Sequence, residues 1–160
     1  MLLPYPSTAT EADVFTLVEL DEACFAAGER WTPGMWSDEI ASPTTTVLLL
    51  GEDDAPTSAA ASFTQVAEVA DLNRVMVHPQ VRGRGLARAL IREGAAWAEE
   101  HGAERMLLEV RHDNQTAIGL YRQLGFETID TRPNYYGAGL DAIVMQAPLP
   151  LPVDEEDDHE

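Results

Sequence analysis

The segment from Val81 to Leu90 constrains this chain most, because it places two glycines in a turn between an apolar strand and an amphipathic helix. Leu72–Val77 is typical of the strand, and the spacing of apolar residues predicts the helix over Arg84–Glu100. Gly83 and Gly85 allow bare backbone amides to approach a ligand at the helix N-terminus, where the positive end of the helix dipole favours an anion. The pattern therefore predicts a binding site for a pyrophosphate group.

The distribution of positive charge supports this interpretation over the alternative, a tight connection with a solvated arginine face. All ten basic residues are arginine, and four of them are concentrated in this short segment: Arg82, Arg84, Arg88 and Arg92. The absence of lysine excludes the lysine-containing nucleotide-binding loop and Schiff-base chemistry. Arg88 also stands where a dinucleotide-binding G-x-G-x-x-G motif would need its third glycine, so that motif fits badly.

Length and charge indicate one acidic domain. We expect residues 1–150 of the 160-residue chain to form that domain and residues 151–160 to form a disordered acidic tail. The net charge of −18 disfavours nucleic acid and favours a basic partner, although salt adaptation of the host would produce the same bias. The apolar runs are too short to span a bilayer, and the N-terminus lacks a leader pattern, so we expect a cytoplasmic protein that does not bind membranes.

Cysteine and histidine usage indicates neither a disulfide nor a metal site. The single cysteine, Cys24, lies among small and apolar residues of a predicted first helix, so we expect it to pack rather than to act as a nucleophile. The four histidines have no metal-ligand spacing with it, and we predict no metal.

Apolar periodicity predicts an α/β chain of the mixed α+β kind, with a mostly antiparallel sheet and helices on both of its faces. Thr10–Asp13 resembles a capping box at the start of the first helix, which we expect to continue to Gly28. The other predicted helices are Trp31–Ala41, Arg84–Glu100 and Asn114–Leu124, and the predicted strands are Leu2–Tyr5, Thr45–Leu50, Ala59–Val66, Glu68–Val77, Met106–Val110, Phe126–Asp130 and Ala142–Gln146.

Glu109 is an anomaly within the apolar strand Met106–Val110. A buried carboxylate in such a strand would have a raised pKa, which suits a general base. The alternative is that Glu109 points to an edge and pairs with Arg111 or Arg122.

Several segments in order resemble the GNAT acetyltransferase superfamily, and most of all its RimI-type ribosomal-protein alanine N-acetyltransferases. The resemblance extends from about Val75 to Met145, and a weaker similarity is found around Trp31. It implies the GNAT fold, a mostly antiparallel sheet of six to seven strands flanked by about four helices. It rests on Val75–Ala87, Leu108–Asn114, Ala117–Tyr121, Leu124–Phe126, Asn134–Tyr136 and Asp141–Met145.

The resemblance implies acetyl transfer from acetyl-CoA to an amine, with Glu109 as proton acceptor and Tyr121 as proton donor. A thiolate near pKa 8.5 is less basic than a tyrosinate near 10, so full proton transfer from Tyr121 would cost about 2 kcal/mol and a hydrogen bond can suffice. Val77 N–H would polarise the thioester carbonyl. The implied acetyl-CoA-binding residues are Val75, Met76, Val77, Arg82, Gly83, Arg84, Gly85, Leu86, Ala87, Arg88 and Asn114.

The implied acceptor is a protein N-terminus, such as the N-terminal alanine of a basic ribosomal protein. The implied acceptor-binding residues are Trp31, Tyr135, Tyr136 and Asp141. The chain departs from the family pattern in Ala26–Arg30 and in the acidic tail, which both bear on the acceptor. A small-amine acetyltransferase and a non-catalytic acyl-CoA-binding module are the alternative functions.

Overall fold

The computed structural model describes residues 6–51 and 57–153. The described residues form seven strands in one sheet, in the order β1-β2-β3-β4-β5-β7-β6, and four α-helices. The strands are β1 Ser7–Thr8, β2 Thr45–Gly51, β3 Thr57–Val66, β4 Val69–Val77, β5 Arg105–Arg111, β6 Glu127–Arg132 and β7 Ala142–Pro148. The helices are α1 Val14–Cys24, α2 Pro33–Ala41, α3 Leu86–Glu100 and α4 Gln115–Gln123.

The chain divides into two compact units. Unit 1 comprises Met1–Thr64 and Asn73–Gly94, and unit 2 comprises Gln65–Leu72 and Ala95–Glu160. The division does not test the expected domain boundary at residue 150, and the predicted strand Leu2–Tyr5 and most of the predicted acidic tail lie outside the described residues.

Unit 1 contains the antiparallel strands β1, β2 and β3, with Thr45–Leu50 of β2 facing Ala59–Thr64 of β3. This pairing agrees with the mostly antiparallel sheet predicted from the sequence. Apolar side chains of α1, α2 and the neighbouring strands pack into one core. Its buried members are Ala9, Val14, Leu17, Leu20, Trp36, Val47, Leu49, Ala60 and Met76.

Unit 2 combines one parallel and two antiparallel pairings. Val69–Leu72 of β4 runs parallel to Arg105–Leu108, whereas β7 runs antiparallel to both β5 and β6. Because a parallel pair needs a crossover connection, the long helix α3 lies between β4 and β5 in the chain. Large side chains that are fully buried in unit 2 are Met106, Ile118, Leu124, Phe126 and Met145.

Two helix boundaries differ from the sequence prediction for local reasons. The first helix ends at Cys24 and does not reach Gly28, because Phe25 adopts an extended conformation (φ −131°, ψ 150°). The second helix begins at Pro33, since Thr32 is its N-cap and accepts a hydrogen bond from Met35 N at 3.1 Å. The capping box at Thr10 is confirmed, with Thr10 N donating to Asp13 Oδ2 at 2.8 Å.

Candidate active site

The glycine-rich turn of unit 1 has the backbone conformation that its sequence requires. Gly83 and Gly85 have φ values of +82° and +79°, in the left-handed region that disfavours side chains. A Cβ atom at either glycine would meet no described atom within 4 Å, so open space lies beside the turn. Helix α3 begins immediately afterwards at Leu86, two residues later than predicted, because Gly85 is not helical. The first amides of an α-helix have no partner in the preceding turn of the helix, which makes a helix start of this kind suited to an anion.

The end of strand β4 is fixed from two directions within unit 1. The carbonyl oxygen of Val77 accepts hydrogen bonds from Arg82 Nε at 3.1 Å and from Cys24 Sγ at 3.3 Å. Met76 is 2% exposed and belongs to the core, whereas Val75 and Val77 are half-buried. The strand and turn residues assigned to acetyl-CoA are therefore joined by direct contacts.

Cys24 has the environment of a packing residue, not that of a nucleophile. Partial burial raises the pKa of its thiol, and the thiol donates to a backbone carbonyl. The effect of burial outweighs that of the Arg82 guanidinium, which lowers this pKa, so the thiolate is disfavoured, in agreement with the packing role expected from the sequence.

Trp31 lies in a charged aromatic cluster that the sequence analysis missed. Its ring centroid is 4.6 Å from that of Trp36, and the Arg74 guanidinium lies 4.7 Å from the Trp31 centroid and 3.8 Å from that of Phe25. Asp21, which is 0% exposed, accepts from Arg74 Nη2 at 3.2 Å and from Trp36 Nε1 at 3.1 Å. The signal in the sequence was an aspartate on the otherwise apolar face of α1, since a buried carboxylate requires a partner.

In unit 2, the predicted burial of Glu109 is wrong. Its side chain is 31% exposed, and Oε1 lies 3.3 Å from Arg132 Nη1. The physical reason is the alternation of β5, on which Leu108 and Val110 are buried and Glu109 faces the other side. Arg132 was not among the sequence candidates for pairing, and Arg111 instead pairs with Asp113 at 2.8 Å.

Two further groups interact with the Glu109 carboxylate. The Tyr135 hydroxyl donates to it, and this hydrogen bond raises the pKa of Tyr135. Desolvation raises the pKa of Asp71, and the negative charge of Glu109 raises it further. The sequence did not single out Asp71, because an acidic residue at an alternating position of a strand is common on an exposed sheet face.

Tyr121 is 7% exposed, and its ring lies edge-on to Phe126 with a centroid distance of 6.0 Å. Burial, with a smaller contribution from Tyr136, raises the pKa of Tyr121 to about 12. The hydroxyl is therefore a weaker acid than free tyrosine, which disfavours ionisation but leaves it able to donate a hydrogen bond.

Asn114 has a clear structural function at the start of α4. Its Oδ1 accepts a hydrogen bond from Ala117 N at 3.2 Å, which makes it the N-cap of the helix. This leaves its predicted contact with acetyl-CoA untested.

The loop that carries the predicted acceptor-binding tyrosines is ordered by its own hydrogen bonds. Asp141 Oδ1 accepts from Asn134 N at 2.9 Å, and Tyr136 N donates to Leu140 O at 3.0 Å. Tyr135 and Tyr136 pack edge to face at 5.1 Å while remaining 53% and 38% exposed. Asp141 therefore shapes the loop, and the two aromatic rings remain accessible.

The predicted site residues are divided between the units. Unit 1 holds Trp31 and the predicted acetyl-CoA-binding residues except Asn114, and unit 2 holds Asn114 and the remaining candidates. Within unit 2, Glu109 and Tyr135 are in contact, and Tyr121 interacts electrostatically with Tyr136. Across residues 6–51 and 57–153, no group of three or more His, Cys, Asp or Glu side chains could hold a metal. No helix in that part of the chain has the length and apolarity needed to cross a bilayer.

Comparison with known proteins gives consistent matches. The model of the acetyltransferase (GNAT) family matches residues 14–126. The N-alpha-acetyltransferase RimI of Mycobacterium tuberculosis is 31% identical over 143 residues, which cover 86% of this chain and 87% of that protein. An uncharacterized protein of Mycobacterium leprae is 35% identical over 145 residues, which cover 87% of this chain and 39% of the length of that protein.

The fold agrees with these sequence matches. The crystal structure of the ribosomal-protein-S18-alanine N-acetyltransferase from Escherichia coli aligns with a TM-score of 0.83 and 26% identity, covering 94% of this chain and 96% of that one.

Proposed function

The chain belongs to the GNAT acetyltransferase family, and we propose that it transfers the acetyl group of acetyl-CoA to the α-amine of a protein N-terminus. The acceptor that we propose is the N-terminal alanine of a ribosomal protein. The transfer occurs by direct attack of the amine on the thioester, without a covalent enzyme intermediate.

One observation carries the donor half of the proposal, namely the left-handed turn at Gly83 and Gly85 directly before α3. Such a turn aims consecutive amides and the positive helix end at a diphosphate. Arg84 and Arg88 add cationic donors close to the same amides. The residues present therefore fit the diphosphate of acetyl-CoA.

Acetyl-CoA supplies an activated acyl thioester, and the residues of the chain handle the protons. An α-ammonium group has a pKa of about 7.7 to 8.0, so at neutral pH it must lose a proton before it can attack. We assign that proton to Glu109, directly or through water. Because the Glu109 side chain is 31% exposed, it can pass the proton on to solvent.

The structure changes the expected contribution of Tyr121. A departing thiolate has a pKa of about 8.5, so complete transfer from a phenol whose pKa is about 12 is uphill by roughly 5 kcal/mol. Tyr121 is therefore assigned a hydrogen bond to the leaving sulfur, not full protonation of it. Val77 N–H is assigned to the thioester carbonyl.

The acceptor half of the proposal is supported by the relatives and by exposed aromatic side chains. The M. tuberculosis relative is named as an N-alpha-acetyltransferase, and the E. coli structure as an enzyme that acts on the alanine of ribosomal protein S18. Tyr135, Tyr136 and the half-buried Trp31 provide ring surface for a peptide, and the acidic chain attracts a basic protein.

Acetylation of synthetic peptides tests this proposal. The purified protein is incubated with acetyl-CoA and peptides that copy ribosomal protein N-termini, and both released thiol and peptide mass are measured. We expect one acetyl group on peptides that begin with alanine. We expect none on the same peptides with a blocked N-terminus, even where they contain an internal lysine.

Two other outcomes would replace the proposal. Acetylation of polyamines, aminoglycosides or free amino acids, with no acetylation of any peptide, would indicate a small-amine acetyltransferase. Binding of CoA without thiol release in the presence of any acceptor or of a cell extract would indicate a non-catalytic module.

A further inference from the structure

Arg74 is the most unusual side chain of unit 1 outside the proposed catalytic groups. Its side chain is 12% exposed, and its Nε is buried without a hydrogen-bond partner among residues 6–51 and 57–153. Leaving a buried donor unsatisfied is costly, so the other contacts of this guanidinium must hold it in place.

Those contacts connect Arg74 to three separate pieces of the chain. Its Nη2 donates to the buried Asp21 carboxylate of α1 and to the carbonyl oxygen of Glu29. The guanidinium carbon Cζ lies over the rings of Phe25 and Trp31, at 3.8 and 4.7 Å from their centroids. Arg74, which lies on strand β4, therefore contacts three parts of the chain. These are the C-terminal end of α1, the turn at Glu29 and the ring of Trp31.

The segment held in this way includes Ala26–Arg30, which lies directly before Trp31. Residues 27–29 form a single 3-10 turn, with the extended residues Phe25 and Ala26 before it and the extended residue Arg30 after it. Trp31 N also donates to Asp21 Oδ2 at 3.3 Å, so both its backbone and its ring depend on the same ion pair. Trp31 also packs on Trp36, and Arg30 Nε donates to the carbonyl oxygen of Phe25 at 2.9 Å, so Arg74 acts together with these contacts.

Strand β4 links this cluster to the residues assigned to the thioester. Arg74 directly precedes Val75, and Val77 O accepts from Cys24 Sγ of the same α1 helix at 3.3 Å. The position of Trp31 is thereby tied to the strand that carries the carbonyl-polarising amide. A shift of about 1 Å in a substrate-positioning group can cost about a hundredfold in rate.

We infer that Arg74, with Asp21 as its counter-charge, is a positioning residue that fixes Trp31 for the peptide acceptor and thereby sets acceptor specificity. This inference rests on the proposed function, since it takes Trp31 to contact the acceptor. Arg74 acts through Trp31 and has no role in binding acetyl-CoA.

Two variants test the inference while protecting the fold. Arg74→Lys keeps a positive charge beside Asp21 but loses the planar guanidinium that lies on the two rings. The double variant Asp21→Asn, Arg74→Met removes both charges together, so no uncompensated carboxylate remains buried. Arg122→Met, at an exposed arginine of α4, is the matched control.

The first readout is kinetic. We expect both Arg74 variants to raise KM for the alanine peptide about tenfold, which corresponds to about 1.4 kcal/mol, with CoA affinity unchanged. The control should change neither quantity. An equal loss of peptide and CoA affinity, or no change in KM, would overturn the inference in favour of a purely structural role.

The second readout does not need an active enzyme. In a Trp97→Phe background, acrylamide quenching of fluorescence reports on Trp31, because Trp36 is 0% exposed and shielded. We expect more quenching in both Arg74 variants than in the parent, and unchanged quenching in both would overturn the inference. If the parent acetylates no peptide, the proposed acceptor is wrong, while quenching still decides whether Arg74 fixes Trp31.

Discussion

Glu109 Oε1 lies 3.3 Å from Arg132 Nη1, so the proposed proton acceptor is one half of a partly exposed ion pair. Exposed ion pairs of this kind contribute about 0.2–1 kcal/mol to stability, so this pair adds little to the stability of the fold. The pair places the positive charge of Arg132 beside the Glu109 carboxylate, which also interacts with the Tyr135 hydroxyl.

We predict that Glu109→Gln lowers kcat for the peptide acceptor by about 10²–10⁴-fold, the usual contribution of a general base. The amide keeps the shape of the side chain but cannot accept the proton of the ammonium group. Steady-state kinetics with CoA binding as a control measure this. Glu127→Gln, at an exposed glutamate of β6, makes the same charge change and should leave kcat unaffected. Full turnover by Glu109→Gln would show that another group takes the proton.

Tyr135 reports on the same cluster through its own titration. The hydrogen bond to Glu109 raises the pKa of Tyr135, and the positive charge of Arg132 lowers it. We therefore expect Glu109→Gln to lower this pKa and Arg132→Met to raise it further. Ultraviolet titration of each variant, with Tyr135→Phe used to assign the transition, measures both shifts. Shifts of the same sign in the two variants would contradict the arrangement.

Alanine substitution in the glycine turn should affect CoA binding as well as stability, and a second glycine separates the two effects. Gly83 and Gly102 both have positive φ, +82° and +97°, and a Cβ at either would meet no described atom within 4 Å. Each change to alanine should cost about 1–2 kcal/mol of stability, because both force a side chain into the left-handed region. Only Gly83→Ala should also weaken CoA binding, by at least about tenfold in calorimetric titration. Equal CoA affinity in the two variants would remove the turn from the proposed site.

Much of this architecture could be predicted because it depends on local sequence patterns. The glycine turn and the capping box at Thr10 depend on near neighbours in the sequence, and both are present. The environment of Glu109 was predicted wrongly, because its exposure depends on the pleat of β5 and its partner Arg132 comes from β6. The Asp21–Arg74 pair joins residues 53 positions apart, which no local pattern reveals.

Two helical glycines should respond in opposite directions to the same substitution. A Cβ at Gly94 of α3 would lie 2.2 Å from Cζ of the fully buried Phe63 ring, whereas a Cβ at the exposed Gly119 of α4 would meet no described atom within 4 Å. We expect Gly94→Ala to destabilise the protein by about 1–3 kcal/mol through overpacking. Gly119→Ala should stabilise it by about 0.5–1 kcal/mol, because alanine loses less backbone freedom on folding.

Urea unfolding of both alanine variants and of Phe63→Leu, alone and combined with Gly94→Ala, checks the cause. The leucine should recover part of the loss. If it recovers nothing, the ring of Phe63 is not the obstacle.

Tyr121→Phe separates the chemical contribution of the hydroxyl from the packing of the ring. The ring contact with Phe126 is kept, so we expect kcat to fall by about 10–100-fold with little change in stability at pH 7. The pKa of Tyr121, about 12, lies above the value near 10 of an unfolded chain, so the neutral hydroxyl favours the folded state. The resulting contribution to stability is fully present below pH 10 and is lost as the pH rises towards 12.

Unfolding measured between pH 9 and 12 should therefore show a steeper loss of stability for the parent than for Tyr121→Phe. Because a difference of about two pKa units corresponds to about 3 kcal/mol, the two curves should separate clearly. Parallel curves would mean that the hydroxyl is solvated in the folded protein. In that case Tyr121 would titrate near 10, and full proton transfer to the leaving thiolate would again cost only about 2 kcal/mol.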